Sequence, residues 1–169
     1  MKLKESITLG FVFGIASVLV LVLQSHLFQE PLIPSSMATG DLDNWWSNVF
    51  SPATYVVFGL GIIINLIWFI KASVSRYKHS KSALSAQGLW WLLFFIYLIV
   101  TLVVFAAFTH FAIDPDKPIK GIFEASCWAA NFLILDVILL FWLPTALATP
   151  RTLRYIPPFS MSLRKLIGD

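Results

Sequence analysis

Between Ala130 and Pro144 the chain reads ANFLILDVILLFWLP, an apolar run broken by a carboxylate, Asp136. A carboxyl group in such a run can close a structural hydrogen bond, meet a partner helix, or carry a proton or ion. Ionised at that depth it costs on the order of 2.5 to 3.5 kcal/mol on an insertion scale. No intramembrane Lys or Arg stands ready to pair with it, so the protonated acid is the expected form. Proton and ion transporters usually need a relay of several groups, whereas at mid-membrane depth the sequence offers one acid and two carboxamides, Asn65 and Asn131. The structural hydrogen bond therefore ranks first, a contact within a larger complex second, and proton or ion chemistry third. At 1.5 Å per residue, Asp136 lies about 10 Å and Asn65 about 8 Å from the inner ends of their spans. The spacing predicts an intramembrane polar pair between them.

A second group of chemical residues stands near the other boundary. His26 closes the first apolar segment, His110 closes the third, and Glu124 opens the fourth with Cys127 one turn further in. Two histidines on different helices can ligate haem axially, and His, His and Glu can hold zinc with an open position. The spacings match no metal motif, and histidine is comfortable at a headgroup boundary. Interfacial hydrogen bonding is the first expectation and a haem or metal site the alternative, so the expected cofactor is none. A single cysteine excludes an intramolecular disulfide, Asp136 and the two histidines fall near opposite faces, and no stretch reads as a phosphate loop. The pair Asp114 and Asp116 in "DPDKP" lacks the other oxygen ligands of a calcium loop and reads as a turn.

The elements that must position these groups follow from hydropathy. The 169 residues are 58% hydrophobic and 12% charged, with a mean hydropathy of +0.80, values of an integral membrane protein. Four segments, about 7–28, 53–70, 88–111 and 122–143, approach the roughly 20 apolar residues needed to cross a bilayer. Short connections predict a single domain: an all-α, antiparallel four-transmembrane-helix bundle. Lys2 and Lys4 before the first run resemble the start of a signal peptide, but its apolar core is long and lacks a small-residue cleavage site, so it reads as an uncleaved anchor. Ten of the twelve Lys and Arg fall in the N-terminal tail, the second loop and the basic C-terminal tail 144–169. The positive-inside rule then puts both termini in the cytoplasm, in a plasma or inner membrane. All seven tryptophans read as interfacial anchors.

Two flanking segments carry amphipathic patterns. In the first, outer loop, Leu42, Trp45, Trp46, Val49 and Phe50 follow helical spacing, predicting a short helix over about 41–50 that acts as an interfacial lid or a partner surface, with Pro52 starting the next span. In the tail, Phe159, Leu163, Leu166 and Ile167 share a face, and Arg151, Arg154, Arg164 and Lys165 suit anionic headgroups. Gly10 and Gly14 on span one form a GxxxG pair that matches a small-residue stripe, Ala125 and Ala129, on span four. Together these patterns point to a small accessory or assembly subunit of a larger membrane complex. Its partners would be the lipid bilayer and other membrane subunits or further copies of itself, with no nucleic acid. The alternatives are a redox or metal protein using His26 and His110, and a transporter or channel component using Asp136.

Overall fold

The computed structural model describes residues 3–29, 43, 45–74, 80–112, 122–149, 153 and 155–166. Those residues form helices and turns, and among them there is no strand. In chain order the helices are α1 (Leu3–Gln29), α2 (Ser51–Val74), α3 (Ser80–Phe111), α4 (Ile122–Val137), α5 (Leu143–Ala148) and α6 (Ser160–Leu166). Four helical segments are long and apolar enough to cross a membrane: Ile7–His26, Trp46–Val74, Leu84–Phe111 and Ala125–Ala148. Large apolar side chains such as Phe11, Ile63, Phe95 and Ile99 point outward from them. A helix apolar on all sides is the form expected where the surrounding solvent is lipid.

Two wide turns join helices that hydropathy alone would separate or run together. A π-turn, Trp46–Phe50, leads into α2, and a second, Ile138–Trp142, joins α4 to α5. Each ends two residues before a proline, Pro52 or Pro144. Proline has no N–H, and its ring presses on the carbonyl four residues back. Widening the preceding turn lets the helix pass the proline without ending. At the first of these turns the Ser51 N–H accordingly donates five residues back, to the Trp46 carbonyl.

The expected outer helix over 41–50 is therefore not a separate lid. It runs directly into the second span, and Pro52 sits inside the continuous helix instead of starting it. Trp45, Val49 and Phe50 are buried. Phe50 stacks on Trp46 at 4.7 Å between ring centroids and meets Phe105 edge-on at 6.5 Å. Leu42 lies outside the described residues.

The fourth span, α4 through α5, is the element on which the others converge, since α1, α2 and α3 each pack against part of it. Its buried face carries Ala125, Ala129, Leu133, Val137, Leu140 and Phe141. α1 touches mainly the second π-turn and α5, so it accompanies only the C-terminal half of that span. Between α2 and α3 the close approach depends on Gly61. The fully buried Tyr97 donates its hydroxyl to the Val57 carbonyl at 2.7 Å, and a Cβ placed on Gly61 would lie 2.7 Å from that hydroxyl oxygen.

Gly61→Ala should therefore cost about 1–3 kcal/mol through overpacking. Tyr97→Phe removes the clashing atom, so the double variant should be more stable than the sum of the two single effects predicts. Thermal or denaturant unfolding of the purified protein in detergent checks this, and strict additivity would contradict the close approach.

Candidate functional site: a polar cluster along the fourth span

Asp136 is fully enclosed, and its Oδ2 accepts a hydrogen bond from Gln24 Nε2 of α1 at 2.6 Å. Asn65, also buried, donates from Nδ2 to the Gly61 carbonyl at 2.7 Å and to the Leu140 carbonyl at 2.8 Å. The pair expected between Asn65 and Asp136 is thus replaced by two separate bonds one turn apart on the fourth span. Leu140 stands four residues before Pro144, so its carbonyl is the one that the missing proline N–H would have served. The Asn65 amide takes that place across the helix interface, a substitution that membrane helices require because no water is present to do it.

Three acceptor-capable side-chain atoms in this interior, Asp136 Oδ1, Asn65 Oδ1 and Thr101 Oγ1, meet no protein partner among the described residues. Tyr97, one turn before Thr101 on α3, faces the same interior. The cluster thus gathers a carboxyl, two carboxamides and a phenol from four different segments. It can hold helices in register, and it presents a carboxyl oxygen that no group among the described residues engages.

A row of indole-to-hydroxyl bonds extends the same logic along the span. Trp45 Nε1 donates to Ser126 Oγ at 3.2 Å, Trp90 Nε1 to Thr145 Oγ1 at 3.1 Å, and Trp68 Nε1 to Thr149 Oγ1 at 3.1 Å. Each threonine hydroxyl passes its own proton to a backbone carbonyl of the fourth span, Thr145 to Trp142 and Thr149 to Thr145. These three tryptophans are no more than 2% exposed, so they are interior fasteners and not the interfacial anchors their positions suggested. Trp91 and Trp128 keep partly exposed rings, consistent with an anchoring place.

The histidine group is not assembled. His110 lines a shallow groove between α3 and α4 with Phe105, Thr109, Ser126, Cys127 and Ala130. Thr109 bonds Ser126 at 3.3 Å, whereas Gln24, two residues before His26, bonds Asp136. Ser126 and Asp136 stand about 15 Å apart along one helix at 1.5 Å per residue, so His26 and His110 are held at different levels. Both are exposed. The Glu124 side chain lies outside the described residues, and among those described no group of three His, Cys, Asp or Glu could hold a metal. Asn131 is exposed and satisfies itself on the Cys127 carbonyl at 3.1 Å.

The remaining expected surfaces also rearrange. Gly10 and Gly14 face open space and not the alanine stripe of the fourth span. That stripe, Ala125 and Ala129, lines a small cavity together with Trp45, Trp46 and Phe50 instead. Arg164, expected among the lipid-facing cations, is buried and turned onto the end of α5. Lys165 is exposed, while Arg151, Arg154 and Ile167 lie outside the described residues. Sequence reasoning missed Gln24, Tyr97, Thr145, Thr149 and the inward role of Arg164. One available signal was spacing, because Trp45 and Trp68 are as far apart in sequence as Ser126 and Thr149.

No protein-family model matches the chain, and comparison with curated proteins and with solved structures finds no significant similarity.

If Asn65 serves the carbonyl that Pro144 abandons, Asn65→Leu should destabilise the protein by about 1–3 kcal/mol. Adding Pro144→Ala, which returns an N–H to the helix, should recover part of that loss. Chemical unfolding of both variants and the wild type is the measurement, and a second substitution that only adds to the damage would refute the compensation.

Proposed function

We propose that this protein is a small multi-pass membrane protein acting as an accessory or assembly subunit of a larger membrane complex. The observation that carries the reading is the outward face of α1. Gly10 and Gly14 have nothing within 4 Å of where a Cβ would stand, and Phe11, Ile15 and Val18 beside them are exposed. The opposite face of α1 rests on the fourth span. Small residues one turn apart let another membrane helix approach closely, where dispersion contacts and Cα–H donors can act. The polar groups of the interior are meanwhile largely committed to holding this chain's own helices, which suits a packing role.

An antiparallel, up-and-down arrangement of the four long helices belongs to the same proposal, and the hydrogen-bond register supports it. From Trp45–Ser126 to Trp68–Thr149 the sequence separation stays at 81 residues. Constant separation is the register of two helices running in the same direction. From Thr109–Ser126 to Trp90–Thr145, a step back along α3 is matched by an equal step forward along the fourth span. That is the register of opposed helices. With both termini on the side of the basic loops, the positive-inside rule assigns them to the cytoplasm of a plasma or inner membrane.

Replacing both glycines, as Gly10→Leu with Gly14→Leu, adds side chains into open space, so stability should change by less than about 0.5 kcal/mol. Native mass spectrometry of wild-type protein extracted gently from its own membrane should show an assembly with additional subunits, and the double variant should lose it. A wild-type protein that emerges as a bare monomer would remove the proposal.

A second reading, a transporter or channel component, is favoured by the enclosed Asp136 Oδ1, which no donor among the described residues meets. Under it, Asp136→Asn in proteoliposomes should abolish pH-dependent ion flux while the variant still folds. Unchanged flux, or none in the wild type, removes that reading.

A further inference from the structure

Beyond Ala148 the described residues 155–166 lie against the fourth span. Thr149 leaves helical geometry with φ −56° and ψ 133°, and Pro158 is found back alongside the helix. The Trp142 indole donates to the Pro158 carbonyl at 2.7 Å. Residue 158 is therefore level with a position six residues before Ala148, about 9 Å back along the helix. From there the chain enters α6 and descends again. Arg164 Nε donates to the Ala146 carbonyl at 3.0 Å, and Nη2 donates to the carbonyls of Leu147 at 2.9 Å and Thr149 at 2.8 Å. A cation there meets the orphan carbonyls and the negative end of the helix dipole together. The segment thus has its apex at Pro157, Pro158 and Phe159 and is pinned at its base by Arg164.

The apex has the properties that non-helical backbone needs at membrane depth. Two of its residues are prolines and carry no N–H to satisfy. The carbonyls of Leu153, Pro157, Pro158 and Phe159 all accept hydrogen bonds, from the Ile156 N–H, the Ser160 N–H, the Trp142 indole and the Leu163 N–H. Such internal pairing is the condition under which irregular backbone is tolerated within a bilayer. Phe159 has φ 59°, an uncommon and strained conformation for a bulky residue. The residue is nevertheless 78% exposed. Leu166 and Tyr155 are exposed as well, while Ser160 and Arg164 on the opposite side are buried. A strained turn that presents an aromatic ring outward, next to a helix flank already apolar, is suited to lipid and poorly suited to water.

We propose that residues 155–166 form the turn and descending arm of a re-entrant segment inserted into the leaflet in which the fourth span ends, with Phe159 among the phospholipid acyl chains and Lys165 at headgroup level. This differs from a tail lying flat on the membrane surface, and it rests on the reading that the fourth span crosses the bilayer. Its partner is lipid, and Arg164 serves it by fastening the segment to the helix end and not by binding headgroups.

Spin labels provide the test in full-length protein reconstituted into phosphatidylcholine–phosphatidylglycerol nanodiscs, with Cys127→Ala to remove the native thiol. Phe159→Cys, Lys165→Cys and Ile99→Cys each carry one label, and collision rates with oxygen and with a water-soluble nickel chelate are compared. The Ile99 position, exposed in the middle of α3, reports whether the long helices lie in lipid. The expected result is an oxygen-to-nickel ratio at position 159 several-fold above that at 165 and approaching that at 99. A nickel-accessible label at 159, equal to that at 165, would overturn the re-entrant segment while position 99 still reported lipid. Exclusion of both reagents at 159 would overturn it in favour of a protein contact. Nickel access at 99 would instead show the failure of the spanning reading, and the re-entrant segment would fall with it.

Discussion

The carbonyl of Leu140 is the point on which the packing turns. Pro144 removes the N–H that would have answered it, and in a hydrocarbon surrounding there is no water to substitute, so an unpaired carbonyl would cost about 1–3 kcal/mol. Asn65 supplies the missing donor from α2. That bond fixes the rotation and height of α2 against the fourth span, and the two flanking bonds, Trp45 to Ser126 and Trp68 to Thr149, hold the same face. Once α2 is set, Gly61 is turned toward α3, and Tyr97 can close on the Val57 carbonyl. A defect in one helix thus specifies its neighbours, because apolar contact alone is as good with lipid as with protein and gives little direction.

Much of the class was legible in the sequence, for a physical reason: a bilayer imposes a length and a composition on whatever crosses it. The four long apolar helices fall where hydropathy puts them, although all are longer than their apolar cores. Their ends were harder to read. Pro52 and Pro144 are ordinary stop or start signals in water, but here π-turns carry the helix past each of them. The tryptophans illustrate the same difficulty, since an indole near a predicted boundary suits a headgroup or a hydroxyl on another helix equally well. Only the register between Trp68, Trp90 and the threonines of the fourth span decides, and register is a tertiary property.

The polar site was read in part. Asp136 and Asn65 were recognisable as groups that cannot face lipid, and both are buried. Their partners were not, because depth was counted from the end of each segment as though all four spans were level. α1 is not level with the fourth span. Gln24 sits near the end of α1, yet it meets Asp136 in the middle of the fourth span, and α1 contacts little of α4. Hydropathy measures how long a segment is, and it carries no information about how far that segment slides along its neighbour.

That stagger ties the cluster to the periphery of the molecule. α1 is joined to the fourth span by a buried carboxamide–carboxyl bond, and among the described residues nothing stands within 4 Å of a Cβ on its Gly10 or Gly14. A polar bond between membrane helices is worth on the order of 1 kcal/mol, enough to fix α1's height but too little to make it immovable. A helix docked on Gly10 and Gly14, as proposed, would meet an α1 that Gln24 ties to Asp136. The Gln24–Asp136 bond is thus the polar link between the enclosed carboxyl and the helix that carries the outward glycine face.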